Sequence, residues 1–368
     1  MTLIITGKDV EQLMPMKECI AAMRSTFQDF ARGIAVNRPR LRYIAQHPDP
    51  NKRYWANIHA GAAPSEGIAC VRAGSQIKIL SEPGRPGKSA RNENPHPFNW
   101  GLVILYSLET AEPLALMHEF ELSGIRVGAT GGAAVDEIAR ADASVLGLFG
   151  SGKQARCALE AICAVRPIQR VNLYSPNAVH AEGFVRAMQR DNVEIVAVSN
   201  PRDAVNGADI IYCATSSPTP VFDGDWLEDG QMVISIANSD VNHKRHEVDR
   251  RTFERANAII INDWESVTEN KQTELLEPLE SGVLRREQLH ELGDLFNGKN
   301  TVRQSARGRK AEGIVYYKNN SGLAIQFAAA GGIIYRKALA AGGCHEIPTE
   351  WLGSDLSEYI AAGFNPSP

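Results

Sequence analysis

In the middle of the chain, short and almost continuously apolar runs alternate with longer stretches in which apolar residues recur at helical spacing. The apolar runs predict strands that are buried on both faces, and the stretches between them predict helices. This alternation is typical of a parallel sheet covered by helices on both sides, so the predicted fold class is α/β. The predicted strands are 145–149, 170–174, 193–198, 209–213, 232–236 and 258–261, and the predicted helical segments among them are 153–165, 178–190 and 203–206.

The pattern differs on either side of this region. Residues 3–5 predict a short strand, and residues 37–80 alternate short apolar runs with Arg, Pro and Gly in the manner of antiparallel strands. Residues 81–99 contain four Pro and three Asn and predict a long polar loop, a type of segment that often covers a binding site. After about residue 265 the chain is polar and helical, and a last apolar helix begins at Leu323.

The composition restricts the class of protein. A chain of 368 residues has room for about two domains, and 43% hydrophobic against 22% charged residues is ordinary for a folded protein. The net charge of -4 argues against nucleic-acid binding. No apolar run predicts a signal peptide or a membrane span, and the six cysteines form no C-x-x-C pair and lie at no zinc-ligand spacing. We therefore expect a cytoplasmic protein with reduced cysteines, no metal site, and no nucleic-acid or membrane partner.

The sharpest local signal is a glycine-rich turn between the first strand and the first helix of the central region. The segment Gly150-Ser-Gly-Lys-Gln-Ala155 has the form G-x-G-x-x-A, which binds the pyrophosphate of a dinucleotide. Its first glycine permits a tight turn, its second lets the backbone approach the phosphates, and the helix that follows offers free N–H groups. The predicted cofactor-binding residues of this turn are Gly150, Ser151, Gly152, Lys153 and Gln154.

Residues after the second and fourth strands of the central region are expected to contact the rest of the cofactor. An acid after the second strand would bind the ribose 2′-hydroxyl of NAD, but the sequence has Ser175 and Asn177 there and no acid. This leaves room for the 2′-phosphate of NADP, although no Arg follows directly, so we expect NAD(P)(H) with a slight preference for NADP(H). Thr215 and Ser216 follow the fourth strand, at the edge where such sheets bind ligands, and a capping role alone is the alternative.

These features resemble the ornithine cyclodeaminase and mu-crystallin family over nearly the whole chain. The motifs that carry the resemblance are Gly124-Ile-Arg-Val-Gly-Ala-Thr130, Gly150-Ser-Gly-Lys-Gln-Ala155, Ala214-Thr-Ser-Ser217 with Pro220, Ile236-Ala-Asn-Ser-Asp240 and Asn320-Ser-Gly-Leu-Ala-Ile325. The resemblance implies a Rossmann dinucleotide-binding domain at 127–310, inserted into an α+β substrate-binding and dimerisation domain formed by 1–126 plus 311–368. It also implies a homodimer, and hydride transfer between the Cα of an amino acid and a nicotinamide ring.

The resemblance further implies two arginines that bind the substrate carboxylate. Arg126 matches one of them, and a planar guanidinium suits this role because it can donate two parallel hydrogen bonds to a carboxylate. Arg40 matches the second, with Arg38 and Arg42 as competing matches close by in sequence. Val127 stands where the family has a threonine that contacts the cofactor.

Catalytic residues are implied in the same way. Arg72 stands where the family has a lysine, with Lys78 as the alternative match, and because arginine keeps its proton this exchange favours carboxylate binding. Asp240 matches the aspartate that faces the substrate amine, where a carboxylate can stabilise an iminium or activate water, and a turn residue is the alternative. Asn320 matches a residue at the nicotinamide end of the cofactor. The expected catalytic residues are Asp240, Arg126 and Arg72, and the expected substrate-binding residues are Arg40, Arg72 and Arg126.

Three functions are compatible with this resemblance. The first is an imine or ketimine reductase or amino acid dehydrogenase that acts on a small α-imino or α-amino acid. The second is an ornithine- or lysine-type cyclodeaminase that releases ammonia with bound NAD, for which Glu82 and Glu93 of the polar loop are candidate partners of the distal amine. The third is a non-catalytic binder of NADP or a small ligand of the mu-crystallin type, against which the retained Asp240 argues.

Overall fold

The computed structural model describes residues 1–79, 100–240, 245–299, 302, 313–319, 322–357 and 361. The predicted loop at 81–99, with Glu82 and Glu93, lies outside the described residues, and so does the predicted cofactor-binding residue Asn320. Within the described part of the chain, no helix is both long and apolar enough to cross a membrane.

The first sheet combines strands from both ends of the sequence. Its neighbouring strands are antiparallel, except that β1 and β7 run parallel to each other. Its order is β16-β1-β7-β6-β5-β4-β2, and β3 also pairs with β4. The described strands are β1 (Thr2–Ile5), β2 (Val36–Asn37), β3 (Leu41–Gln46), β4 (Lys52–Ala63), β5 (Ile68–Ile79), β6 (Trp100–Ser107), β7 (Pro113–His118) and β16 (His345–Ile347).

The second sheet is parallel in every described pair of strands. Its order is β10-β9-β8-β11-β12-β15-β13-β14, so the strand order reverses between β8 and β11, which is where sheets of this kind bind ligands. Its described strands are β8 (Val145–Phe149), β9 (Arg170–Tyr174), β10 (Glu194–Val198), β11 (Ile210–Cys213), β12 (Met232–Ser235), β13 (Ala256–Ile261), β14 (Leu289–Glu291) and β15 (Ile314–Lys318).

Helices cover both sheets, and one of them connects the two units. The described α-helices are α1 (Gly7–Leu13), α2 (Met16–Ala31), α3 (Glu119–Ile138), α4 (Lys153–Val165), α5 (Ala178–Met188), α6 (Pro201–Val205), α7 (Arg250–Arg255), α8 (Trp264–Glu269), α9 (Thr273–Glu280), α10 (Leu292–Phe296) and α11 (Ala324–Ala341). Helix α3 packs against α2 on one side and α4 on the other, and α11 packs on β4 and β5. Helix α3 therefore contacts a helix of each unit.

The predicted α/β fold is confirmed, and most predicted elements agree with the structure within a few residues. The helix predicted at 178–190 ends at Met188, as expected for a terminus where the last turn frays. The boundary predicted at residue 310 differs more, because β15 (Ile314–Lys318) lies beyond it in sequence and still pairs with β12 and β13 of the parallel sheet. All five residues of β15 are buried, so the parallel sheet extends at least to Lys318.

Candidate active site between the two sheets

The glycine-rich turn follows β8, at the point where the order of the parallel sheet reverses. Gly150 has a φ of 100°, and a Cβ at this position would lie 2.4 Å from the carbonyl oxygen of Ala214, so only glycine fits. A Cβ at Gly152 would meet no atom within 4 Å, so the space beside it is open. Helix α4 begins after Gly152 without a side-chain cap, which leaves its first N–H groups available. The turn therefore fits the phosphates of a dinucleotide.

Four of the side chains predicted to bind the cofactor near this turn, those of Ser151, Lys153, Ser175 and Asn177, already have partners. Lys153 Nζ contacts the carbonyl oxygen of Phe120 and lies 3.2 Å from the centroid of that ring, and burial lowers its pKa. Ser151 donates a hydrogen bond of 3.2 Å to Ser175, and the side chain of Asn177 caps helix α5. The backbone of the turn, rather than the lysine side chain, is thus the group available to phosphates.

A buried carboxylate joins the ends of β11 and β12. One oxygen of Glu247 accepts hydrogen bonds from the N–H and the hydroxyl of Thr215, at 2.6 and 2.8 Å. Its other oxygen accepts from the Ser235 hydroxyl at 2.9 Å and from the N–H groups of Ile236 and Ala237 at 2.8 and 2.7 Å. The Thr215 hydroxyl thus donates to this carboxylate, and it also accepts a hydrogen bond from the N–H of Ser217 at 3.2 Å.

A cavity of about 300 Å³ lies between the first sheet and the carboxyl ends of the parallel strands. The Oε1 atom of Gln154 is a buried lining atom that has no hydrogen-bond partner among the described residues. The predicted residue Ser216 is exposed and is not a lining residue. The cavity is lined by Arg40, Arg42, Asn57, His59, Arg72, Glu119, Ser123, Arg126, Val127, Gln154, Thr215, Ile236, Ala237, Asn238, Arg245, Asn319 and Gly322.

Arg126 extends from α3 into this cavity. Its Nη1 donates to Gln326 at 2.7 Å, and its guanidinium stacks on Phe327, 4.6 Å from the ring centroid. A Cβ at Gly322 would lie 3.1 Å from its Nη2, so the glycine provides room for the guanidinium. Burial lowers the pKa of Arg126 to about 10, while nearby Glu119 favours its charged form. The group is therefore a rigid, buried cation at neutral pH.

Arg72 reaches the same cavity from β5 and pairs with a carboxylate of α3. Its Nη2 donates to Glu119 Oε1 at 2.9 Å, and both side chains are mostly buried. Two paired glycines provide the room: a Cβ at Gly101 would lie 2.5 Å from Glu119, and one at Gly74 would lie 3.0 Å from Arg72. The ion pair thus depends on glycines in two neighbouring strands.

Asp240 lies beside Arg40 and Arg42. It forms an ion pair with Arg42, and its Oδ2 is 3.7 Å from Arg40 Nη2. Arg42 also donates to Asn57 at 2.8 Å, and Arg40 donates to Asn238 at 3.4 Å. Asp240 lines a neighbouring cavity of about 620 Å³ that shares Arg40 and Arg42 with the first one. The expected aspartate is therefore at the junction of two cavities, with arginines as its partners.

Arg38 and Lys78, the alternative matches to family residues, occupy different positions from Arg40 and Arg72. Arg38 lines only the larger cavity, whereas the other two candidate arginines of this segment line both. Lys78 lines neither and lies 4.1 Å from the ring centroid of Trp55. Burial and the nearby cations Arg42 and Arg245 lower the pKa of Lys78 to about 8. Arg72 is thus the basic residue of β5 that reaches the cavity.

Three further titratable or charged residues line the cavity and were not predicted: His59, Glu119 and Arg245. His59 is buried, and its Nδ1 is 3.5 Å from Arg72 Nη1. Burial and the surrounding arginines lower the pKa of His59 well below its usual value. The strand pattern offered one signal for His59. It lies two residues after Asn57 in β4, so both side chains are on the same face of the sheet, and His59 pairs with Arg72 of β5 on that face.

Comparison with known proteins gives the family of the chain. The model of the ornithine cyclodeaminase/mu-crystallin family matches residues 1–342. The chain belongs to this family. One relative in the family is the Delta(1)-pyrroline-2-carboxylate reductase of Bacillus cereus, which is 29% identical over 344 residues that cover 92% of this chain and 98% of the relative.

Two solved structures of the family share the whole architecture. The Delta(1)-pyrroline-2-carboxylate reductase of Thermococcus litoralis, in complex with NADH and L-proline, is 27% identical with a TM-score of 0.79, and the match covers 94% of this chain and 100% of that one. An archaeal alanine dehydrogenase dimer with bound NAD is 27% identical with a TM-score of 0.77, covering 94% and 99%. The predicted family and the predicted Rossmann-type fold are thereby confirmed.

Proposed function

We propose that the protein is an NAD(P)-dependent oxidoreductase that transfers hydride at the Cα–N bond of a small α-imino or α-amino acid. The observation that carries this proposal is one cavity with two kinds of lining. Gln154 and Thr215 line it from beside the glycine-rich turn, and Arg126 and Arg72 line it from the opposite side. A dinucleotide bound at the turn and a carboxylate bound by the arginines would meet in this cavity.

The cofactor proposal rests on the turn and on the relatives. The backbone at 150–154 fits the pyrophosphate, and the two solved relatives contain NADH or NAD. When bound, the cofactor supplies or accepts the hydride. The slight preference for NADP(H) stays a prediction, carried by the absence of an acid at Ser175 and Asn177.

The protein's own part in the reaction is to orient the substrate and to fix charge. Arg126 and Arg72 would bind the α-carboxylate and so hold Cα in place, and Arg40 lines the same cavity beside Arg42. Asp240, held by Arg42, would provide the negative charge that stabilises a protonated imine nitrogen. Both tasks use groups that are already in position before the substrate arrives, which keeps the cost of reorganisation low.

The charge of the cavity favours this reaction over cyclodeamination. A cyclodeaminase must accommodate a distal ammonium group, which needs an acidic partner. Glu119, which lines the cavity, is already paired with Arg72, the nearby Asp240 is paired with Arg42, and Arg245 adds a further cation. A second ammonium would therefore meet a positively charged surrounding.

We also propose a homodimer in which the first sheet, with α2 and α11, forms the substrate-binding and dimerisation unit, and the parallel sheet forms the cofactor-binding unit. The register supports the dimer, because Leu41, Tyr43, Trp100 and Leu102 lie on the same face of the first sheet, opposite to Arg42. Each of these four side chains is at least 47% exposed. An apolar patch of this kind on a sheet face fits a second copy of the chain.

The proposal is tested by an NADH and NADPH oxidation screen over 2-oxo acids with ammonia or amines, and over cyclic imines. We expect oxidation with at least one imine. Gly152→Ala should stay folded but weaken NADH binding by about tenfold or more, because its methyl group would occupy the phosphate space. Gly183→Ala, on the open side of α5, is the matched control and should bind NADH normally. Release of ammonia from ornithine or lysine without net cofactor reduction, together with no imine reduction, would overturn the proposal.

A further inference from the structure

The cationic groups that line the 300 Å³ cavity outnumber the carboxylates that face them. Five guanidinium groups line it, from Arg40, Arg42, Arg72, Arg126 and Arg245. Three carboxylates lie near them: Glu119 and Asp240 are paired with one or two of these arginines, and the buried carboxylate of Glu247 favours the charged form of Arg245. His59 adds no charge near neutral pH, because its pKa is well below the usual value. The described lining therefore carries an excess of positive charge.

Four of these arginines also have donors that the protein does not satisfy. The Nε atoms of Arg40, Arg72, Arg126 and Arg245 are buried and have no hydrogen-bond partner among the described residues. The guanidinium of Arg245 in addition forms no ion pair with any residue that the structure describes. Since buried donors in folded proteins are almost always paired, this arrangement indicates acceptors that arrive with a ligand.

The cations form two groups according to their partners, and Arg40 of the second group also lies near Arg72 of the first. Arg126 and Arg72 form the first group. Glu119 and His59 lie beside Arg72, and Gly322 leaves room for the guanidinium of Arg126. The second group is Arg40, Arg42 and Arg245, with Asn57 and Asn238 as hydrogen-bond acceptors. Asp240 is paired with Arg40 and Arg42, and the buried carboxylate of Glu247 lies near Arg245. Two carboxylates for three guanidinium groups leave this end of the cavity positively charged.

We propose that the substrate carries a second carboxylate on its side chain, bound at the end of the cavity formed by Arg40, Arg42 and Arg245, so that the reaction is the reduction of a 2-imino dicarboxylate to a 2-amino dicarboxylate. This inference rests on the proposed function. In the reaction, Cα receives a hydride from the reduced nicotinamide, the π bond of C=N breaks, and the nitrogen takes up one proton. The substrate thus brings an anion to each group of arginines, and the nicotinamide is oxidised.

Lys78 supports the location of the second anion. It lies near Arg42 and Arg245, and these cations together with burial lower its pKa to about 8. The same side chain is oriented over Trp55 rather than paired with an acid among the described residues. The positive potential at this end therefore already affects a neighbouring ammonium, and an anion bound there would relieve it.

Binding of unreactive probes tests the inference independently of turnover. Calorimetry on the full chain saturated with NADH compares succinate, which has two carboxylates, with butyrate, which has one and a similar length. We expect succinate to bind about 30-fold or more tightly, and Arg245→Gln to reduce this advantage by about tenfold, because a charged hydrogen bond is lost. Arg186→Gln, an exposed arginine of α5, is the matched control. Equal affinity for both probes, or equal behaviour of the two variants, would overturn the inference. The NADH dissociation constant of Arg245→Gln should equal that of the control, since a shift would instead place Arg245 at the cofactor phosphates.

Turnover separates this inference from the proposed function. With ammonia and NADH or NADPH, oxaloacetate and 2-oxoglutarate should show a higher kcat/KM than pyruvate and 2-oxobutyrate. Equal or higher kcat/KM for the monocarboxylates would overturn the inference and leave the proposed oxidoreductase intact. No turnover of any imine, with succinate still preferred in binding, would overturn the proposed reaction and support the dicarboxylate site alone.

Discussion

Replacement of Glu247 by glutamine tests whether one buried carboxylate organises the ends of β11 and β12. Glu247 is fully buried and accepts five hydrogen bonds, from Thr215, Ser235, Ile236 and Ala237. Glutamine keeps the shape but replaces one oxygen by an NH₂ group, which cannot accept. Whichever oxygen is replaced, at least one backbone N–H loses its acceptor, and two do so on the side of Ile236 and Ala237.

The magnitude follows from these contacts. An unsatisfied buried N–H costs about 1–3 kcal/mol, and a hydrogen bond to a charged group contributes about 1.5–3 kcal/mol, roughly twice a neutral one. We therefore expect Glu247→Gln to lower the free energy of unfolding by about 3–6 kcal/mol. The NADH dissociation constant of the folded variant should also rise, because Thr215 and Ile236 line the cavity.

Urea denaturation with the linear extrapolation measures the first effect. The matched control is Glu254→Gln, which removes the same charge from an exposed ion pair with Arg250 and should change the free energy of unfolding far less. Thr215→Val removes one donor to Glu247 and the acceptor of the Ser217 N–H, and it should fall between the two variants. If Glu247→Gln costs no more than Glu254→Gln, the carboxylate does not hold the two strand ends and the reasoning is wrong.

Three more predictions concern buried charge and cofactor choice. The pKa of His59 is well below 6.5 in the folded protein, so only the unfolded chain binds a proton at this residue as the pH falls below about 6.5. His59 therefore lowers the free energy of unfolding in that range, with a slope approaching about 1.4 kcal/mol per pH unit. His59→Asn should flatten the decline in unfolding free energy between about pH 7 and 5, and an unchanged slope would contradict the assignment. Lys318→Met should lower the free energy of unfolding by about 3–5 kcal/mol, because it leaves the buried carboxylate of Glu274 without its cation. The double variant Lys318→Met with Glu274→Leu should lose less in the same urea denaturation assay. A double variant as unstable as the single one would argue against the ion pair. Ser175→Asp should lower kcat/KM for NADPH relative to NADH by about tenfold or more, since an acid after the second parallel strand binds the 2′-hydroxyl and repels a 2′-phosphate, and an unchanged ratio would mean that Ser175 does not face the ribose.

The central strands and the glycine-rich turn could be predicted because their signals are local. A strand buried on both faces is continuously apolar, and a tight turn that only glycine fits leaves a mark within six residues. Strand β15 (Ile314–Lys318) could not be assigned to the parallel sheet from such local signals. It has the composition of a buried strand, but it follows a long polar and basic stretch, so the alternation of strands and helices breaks before it, and only pairing with β12 and β13 assigns it to the parallel sheet.

The charged partners of the site could not be predicted because they depend on contacts between distant segments. Glu247 lies 32 residues from Thr215 in sequence, and its own neighbours give no sign that it is buried. Glu119, the first residue of α3, meets Arg72 of β5 across 47 residues of sequence, and Arg245 reaches the cavity from beyond β12. The predicted arginines, by contrast, came from motifs of the family.

Arginine at position 72 has a consequence for the chemistry of the whole site. The sequence predicts that arginine in place of lysine favours carboxylate binding over proton transfer. The structure adds that the guanidinium is held by Glu119 and accommodated by Gly74 and Gly101, so its position is fixed as well as its charge. Asp240 is likewise held by Arg42. Glu119 and Asp240 are thus counter-ions of arginines, which makes a fixed field, rather than a mobile proton donor, the property by which this cavity would select and orient an anionic substrate.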